Sequence, residues 1–164
     1  MNEIQTADWA NFFVAEVGAS AALTGLIVVA ISINLTRILA HKYLPGRAAE
    51  ALILIGGVLV VMSAALVPHQ PIAVFGLETL AVALAMLMAP VVIQTRAFRA
   101  KVMPNWRVTV RAILTAMPSL AMVTAGLLLI SGHPSALYWI AAGAILCLIS
   151  GVISSWALLI EILR

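Results

Sequence analysis

The sequence predicts an all-α membrane protein built as a bundle of five transmembrane helices. Of its 164 residues, 64% are hydrophobic and only 9% are charged, and the mean hydropathy is +1.16. A chain of this composition has too little polar surface to coat a water-soluble domain. Five apolar stretches each supply the roughly 20 residues that a helix needs to cross about 30 Å of hydrocarbon. They form one transmembrane domain over residues 1–164, with approximate spans 12–38, 48–68, 72–94, 112–131 and 135–160.

The breaks between these spans are of two kinds. Residues 41–47 and 95–111 are basic, whereas the proline-containing turns at 68–71 and 132–134 have no lysine or arginine. Because successive spans alternate in direction, all nine lysines and arginines fall at one face, which the positive-inside rule makes cytoplasmic. We therefore expect the N-terminus outside, the C-terminus in the cytoplasm, and a multi-pass location in the bacterial inner membrane. The first stretch has no preceding cationic segment and is interpreted as a structural helix, not as a cleaved signal.

Two helices carry rows of small residues, which allow helices to approach closely in lipid. The rows are Gly18, Ala22, Gly25 and Ser32 in the first helix, and Gly143, Cys147, Gly151 and Ser155 in the last. Both rows predict tight helix contacts, and the sequence leaves open whether the partner helix belongs to the same chain or to another.

A weak repeat relates the second and third spans to the fourth and fifth. Arg47 and Arg111 each begin an outward-running helix, and His69 and His133 each lie in an outer turn, both at an offset of 64 residues. A duplicated hairpin would explain these matches. The plainer explanation is that two hairpins of equal length resemble each other.

The polar residues of the first helix suggest a function. Ionisable residues inside a membrane span are costly and need a partner, a cavity or a role. Glu16 lies seven residues after Trp9 and Glu78 seven after Pro71, so both are expected about 10 Å below the outer surface. This depth allows them to share one layer of the membrane, and both are candidates for binding a proton or lining an ion pathway; whether they meet in one site stays open.

A polar stripe on the first helix predicts a face that lines an ion pathway. At about 100° per residue, its members fall within roughly an 80° arc, opposite the small-residue row. The stripe consists of Glu16, Ser20, Thr24, Ile27, Ile31 and Asn34. Glu16 would concentrate cations at the outer mouth, Ile27 and Ile31 would form a dewetting constriction, and Asn34 would line the inner exit. The alternative is packing, with hydroxyls bonded to the preceding turn and the carboxyl protonated or bonded to a neighbour.

The leading hypothesis is accordingly a homo-oligomeric cation or proton channel, or a transporter, with the first helix facing the path. The alternative is a non-transporting accessory or scaffold subunit of a larger membrane complex. The sequence has no nucleophile elbow, phosphate loop or zinc-protease motif, so we expect neither enzymatic activity nor a cofactor. We read the basic residues as orientation signals, not as a nucleic-acid-binding patch.

Three further expectations concern the ends of the helices. His69 and His133 are weak candidates for metal ligands, and they are more simply explained as polar turn residues.

Glu50 lies three residues after Arg47, and Glu161 lies three residues before Arg164. This spacing predicts that each glutamate forms an exposed ion pair within its own helix. Anionic lipid headgroups at the cytoplasmic face are the expected partners of Arg96, Arg99, Lys101, Trp106 and Arg107.

Overall fold

A computed structural model describes residues 7–41, 43–99 and 105–162, and these residues form helices and turns with no strand. Five of the helices are long and apolar enough to cross a membrane, as the sequence predicts. A 3₁₀ turn at Ala7–Trp9 precedes them. The α-helices are α1 (Ala10–Ile33), α2 (Leu35–Ala40), α3 (Leu44–Ala65), α4 (Ile72–Arg99), α5 (Asn105–Ile130) and α6 (Ala136–Ile162).

The first helix departs from its expected span, which ran to residue 38. It ends at Ile33, and Asn34 (φ −105°, ψ 14°) interrupts it before the short α2. The Asn34 side chain donates from Nδ2 to the carbonyl oxygen of Ala30 at 2.9 Å. This bond competes with regular helical backbone bonding, as expected of an asparagine inside a helix. α4 and α5 extend beyond their expected spans, into the basic segment that separates them.

The helices α3 to α6 form a four-helix bundle, and α1 packs on its side. Each of the four contacts its two neighbours in a closed ring, α3–α4–α5–α6–α3, while α1 contacts mainly α3 and more lightly α6. The rings of Trp9 and Tyr138 meet edge to face at 5.0 Å and bring the start of α1 beside the start of α6. We call this end, which includes the turns with His69 and His133, the histidine end. The other, with Arg47 and Arg111, is the basic end.

Glycines bring the helices of the bundle together. A β-carbon added at Gly126 would lie 2.9 Å from Cα of Leu80, so α5 meets the backbone of α4 there. In the α5–α6 hairpin, a β-carbon at Gly143 would lie 2.9 Å from the Met122 side chain, and Gly57 meets Met86 similarly in the α3–α4 hairpin. The tight contact expected of the last helix is thus confirmed within the chain.

The small-residue row of α1, in contrast, faces away from the rest of the protein. A β-carbon at Gly18 or Gly25 would have no other side chain within 4 Å, and Ala22 and Ser32 are exposed. No tight contact forms on this row among the residues that the structure describes. Contact with another subunit stays a prediction.

The offset of 64 residues that relates Arg47 to Arg111 also relates the buried faces of the two hairpins. α4 begins at Ile72 and α6 at Ala136, again 64 residues apart. The position pairs buried in both hairpins are Ala51/Thr115, Leu54/Pro118, Ile55/Ser119, Gly57/Ala121, Val58/Met122, Val61/Ala125, Met62/Gly126, Gly76/Ile140, Thr79/Gly143, Ala83/Cys147, Met86/Ser150 and Gln94/Leu158. The two hairpins therefore bury equivalent positions in one core, with α3 corresponding to α5 and α4 to α6.

Candidate functional site

The polar stripe of α1 faces the helices of its own chain. Ser20 and Ile27 are buried, and Glu16, Thr24, Ile31 and Asn34 are partly buried. These residues lie on the side that packs against α3 and α6, while the small-residue row lies on the exposed side. The arrangement is the reverse of the expected one, in which the small residues pack and the polar residues face a pathway between subunits. A path along this stripe would run inside one protomer.

Hydrogen bonding on this face is incomplete. Ser20 donates from Oγ to the carbonyl oxygen of Glu16 at 2.6 Å, a bond back to the preceding turn. Oε2 of Glu16 and Oγ1 of Thr24 are buried and have no hydrogen-bond partner among the described residues. Two polar atoms on either side of Ser20 thus lack the partners that buried polar groups normally have.

Beyond Thr24 the face becomes aliphatic. Ile27 and Ile31 line an apolar groove of about 210 Å³ between the basic-end halves of α1 and α6, together with Val152 and Trp156. Asn34 follows at the break between α1 and α2, and its side-chain amide donates a hydrogen bond to the carbonyl oxygen of Ala30. The order along the face is therefore carboxylate, hydroxyls, aliphatics and amide.

Glu78 belongs to a different part of the surface. Its side chain is exposed on α4, and its Oε2 accepts a hydrogen bond from Nε2 of Gln70 at 2.7 Å. α4 packs against α3 and α5, whereas α1 packs against α3 and α6. No described contact joins Glu78 to Glu16, and the two carboxylates do not form one site in this structure.

The two histidines are exposed turn residues. His69 has a positive φ of 56°, and His133 lies next to the only described glycine with positive φ, Gly132. His133 Nδ1 lies 2.8 Å from Oγ of Ser135. Among the described residues, no group of three His, Cys, Asp or Glu side chains is placed to hold a metal ion. The described residues therefore supply no third ligand that would make a metal site of His69 and His133.

The basic end holds two ion pairs that sequence reasoning missed. Arg111 donates from Nη2 to Oε2 of Glu50 at 2.7 Å, joining α5 to α3, and Arg47 pairs with Glu161, joining α3 to α6. The expectation that Glu50 forms an exposed pair with Arg47 within one helix is wrong, since Glu50 is 2% exposed and its direct partner is on another helix. Glu161 pairs across helices too, and Arg164 lies outside the described residues.

Further polar groups surround Glu50. Gln94 on α4 donates from Nε2 to Oγ1 of Thr115 at 3.1 Å, and both side chains are buried. Gln94 and Arg47 also lie within electrostatic range of the Glu50 carboxylate. All four bundle helices thus contribute to one polar network at the basic end. One sequence feature could have indicated this network, namely the matching positions of Arg47 and Arg111, 64 residues apart. Equivalent positions of two hairpins come together when the hairpins pack into one bundle.

Three of the residues expected at lipid headgroups also lie at this end. Arg96 and Arg99 are exposed at the end of α4, and Trp106, at the start of α5, is 64% exposed. Lys101 and the side chain of Arg107 lie outside the part of the chain that the structure describes.

Comparison with known proteins adds no family assignment. No family model matches the chain, and no curated protein or solved structure matches it either.

Proposed function

We propose that this protein conducts protons or small cations across a membrane, along the polar face of α1 where it packs against α3 and α6. The observation that carries the proposal is that two of the four buried side-chain oxygens without a hydrogen-bond partner among the described residues, Oε2 of Glu16 and Oγ1 of Thr24, lie on this one face; the other two belong to Glu50 and Thr79. A buried polar atom without a hydrogen bond costs about 1–3 kcal/mol. Water, a proton or a cation in the interface between the helices would supply the missing partner.

The spacing of the polar groups suits stepwise transfer. Glu16, Ser20 and Thr24 follow one another at four-residue intervals, which is about 6 Å of rise per step in an α-helix. This is a distance that one or two water molecules bridge. Ile27 and Ile31 then line an aliphatic groove, and an apolar stretch of this kind blocks flow when it is dry and opens when it is wetted.

This path leaves out Glu78, which lies on a different part of the surface, and it also differs from the one that the sequence suggests in where it runs. It lies within one protomer, because the stripe faces the chain's own helices, so conduction does not require a ring of subunits. We place the protein in a bacterial inner membrane with its N-terminus outside, on the strength of its one-sided lysines and arginines. Glu16 then lies on the outer side.

Proton flux into liposomes tests this proposal. Purified protein, reconstituted with a pH-sensitive dye inside and a potassium diffusion potential, is expected to acidify the vesicles faster than empty liposomes. Glu16→Gln keeps the shape of the side chain and removes its ability to bind a proton, so we expect at least a tenfold lower flux. Asp8→Asn is the matched control, because Asp8 is an exposed carboxylate at the same end. An unchanged flux in Glu16→Gln, or no flux above empty liposomes with protons or sodium, would contradict the proposal.

A second candidate function is an accessory or scaffold subunit, and the exposed row of α1 favours it. Only 11% of the most apolar window of α1 is buried, compared with 28–44% in the other four spans. The uncovered Gly18 and Gly25 would let a partner helix approach closely. A photo-crosslinker at Ala22 in cells would then join the chain to a different membrane protein, and Gly18→Leu would abolish that adduct. Recovery of the chain alone, as a defined ring, would exclude this candidate.

A further inference from the structure

Each helix of the four-helix bundle contributes one buried sulfur-containing side chain to the same hydrophobic core. All of these side chains are at most 1% exposed. They are Met62 on α3, Met86 on α4, Met122 on α5 and Cys147 on α6. The other described methionines, Met88 and Met117, are exposed. The core of the bundle therefore collects three thioethers and the one thiol of the chain.

Met86 and Met122 occupy the same level of this core. Oγ of Ser119 on α5 donates to the carbonyl oxygen of Met86 at 3.3 Å, and Met122 lies one turn beyond Ser119. Side chains lean toward the N-terminus of their own helix. Since α4 and α5 run in opposite directions, the two thioethers lean toward each other's level. Sδ of Met86 is also the atom nearest to a β-carbon added at Gly57, so it lies against α3.

The remaining two sulfur-containing residues flank this level. A β-carbon added at Gly143 on α6 would lie 3.1 Å from Sδ of Met122, and Cys147 follows Gly143 by one turn on the same face. On α3, Met62 lies five residues after Gly57 and leans back toward it. We call the set of Met62, Met86, Met122 and Cys147 the sulfur layer. Filling of core space explains a buried methionine at any level of a bundle, but it does not require methionines to share a level with the one cysteine.

We propose that the sulfur layer binds one copper(I) ion. Thiolate and thioether sulfur are the soft ligands that favour copper(I), and the ligands are the thiolate of Cys147 and the thioethers of Met86 and Met122, with Met62 as a fourth donor beside them. The thiol releases its proton as the copper–sulfur bond forms, so the ion and the thiolate together carry no net charge. A neutral complex avoids the cost of burying an isolated charge in an apolar core.

Zinc fits this site less well. Its sites are built from several thiolates, imidazoles or carboxylates, and no group of three such residues is placed for a metal in the described part of the chain. A site with one thiolate and several thioethers therefore selects a soft monovalent ion.

Anaerobic titration of the full chain in micelles with copper(I), in competition with a chromophoric copper(I) chelator, tests this site. We expect one copper(I) per chain. Cys147→Ala removes the thiolate ligand and should weaken binding at least tenfold. Met86→Leu and Met122→Leu conserve side-chain volume and should each weaken binding at least fivefold. The matched controls on the same two helices are Met88→Leu and Met117→Leu, which change exposed methionines and should leave the affinity unchanged.

X-ray absorption at the copper edge of the wild-type complex identifies the ligands without any variant that could misfold. We expect a first shell of sulfur atoms alone. Absence of copper(I) binding, a first shell of nitrogen or oxygen, unchanged binding in Cys147→Ala, or unchanged affinity in both core methionine variants would overturn the proposal. The titration measures no flux, so its outcome does not depend on whether the protein conducts ions.

Discussion

Glu50 is the one fully buried carboxylate among the described residues, and its environment shows how a charge is tolerated inside this bundle. Its Oε2 is bonded to Arg111, and Arg47 and Gln94 lie nearby. A buried ion pair adds little net stability compared with a well-packed apolar pair, but loss of only one partner is costly because the other charge is then left unpaired. The network therefore fixes how α3, α5 and α6 fit together more than it strengthens the fold.

This reasoning predicts the outcome of a double-mutant cycle at Glu50 and Arg111. Arg111→Met should lower the free energy of unfolding by about 3 kcal/mol, because it leaves Glu50 buried and unpaired. The double variant Glu50→Leu with Arg111→Met should recover at least half of that loss. Unfolding in mixed micelles, followed by circular dichroism, measures both values. Equal loss in the single and double variants would show that the pair contributes by packing alone.

At the scale of the helices, close packing and open faces are sharply separated. α4 and α5 meet backbone to backbone at Gly126, whereas Gly18 on α1 has free space around it. The same substitution should therefore have opposite consequences at the two positions.

We expect Gly126→Ala to destabilise the protein by about 1–3 kcal/mol, because the added methyl group overpacks the contact with Leu80. Gly18→Ala is the matched control and should change the free energy of unfolding by less than about 0.5 kcal/mol. The same unfolding assay compares the two variants. A large loss at Gly18 in monomeric protein would mean that α1 packs through its small-residue row after all.

The stripe of α1 that packs could not be identified from its sequence. Periodicity shows that small residues lie on one side and polar residues on the other, but only the neighbouring helices determine which side is covered. Ser20 makes burial of the polar side cheaper because its hydroxyl bonds to the preceding turn. In α6 the small-residue row is the face that packs, as the sequence predicts, because Gly143 and Gly151 meet the side chains of Met122 and Ile55.

The ion pairs at the basic end were beyond local sequence reasoning for a related cause. Arg47 and Glu50 are neighbours along α3, so a pair within one helix was the nearest solution. The actual partner of Glu50 is 61 residues away, and that of Arg47 is 114 residues away. Such pairs depend on the order of helices around the bundle, which composition and spacing do not specify.

At the scale of the whole molecule, the five spans were predictable because charged and proline-containing breaks limit each apolar stretch. The correspondence between the two hairpins was only weakly indicated by the matched arginines and histidines. The burial pattern extends this correspondence to twelve further pairs of positions, and α1 lies outside it. The polar face of α1 therefore lies along a boundary between one added helix and a closed bundle, which is where we propose that ions pass.

Access of water to that boundary is the most direct test. Single cysteines at Ser20, Thr24 and Ala22, in a Cys147→Ala background, can be treated in membranes with a small, membrane-impermeant thiol reagent. If ions and water pass along the buried face, Thr24→Cys and Ser20→Cys should react at least tenfold faster than Ala22→Cys, which lies on the exposed row. If both stay unreactive from either side of the membrane, the polar face is a dry packing surface and the proposed path is wrong.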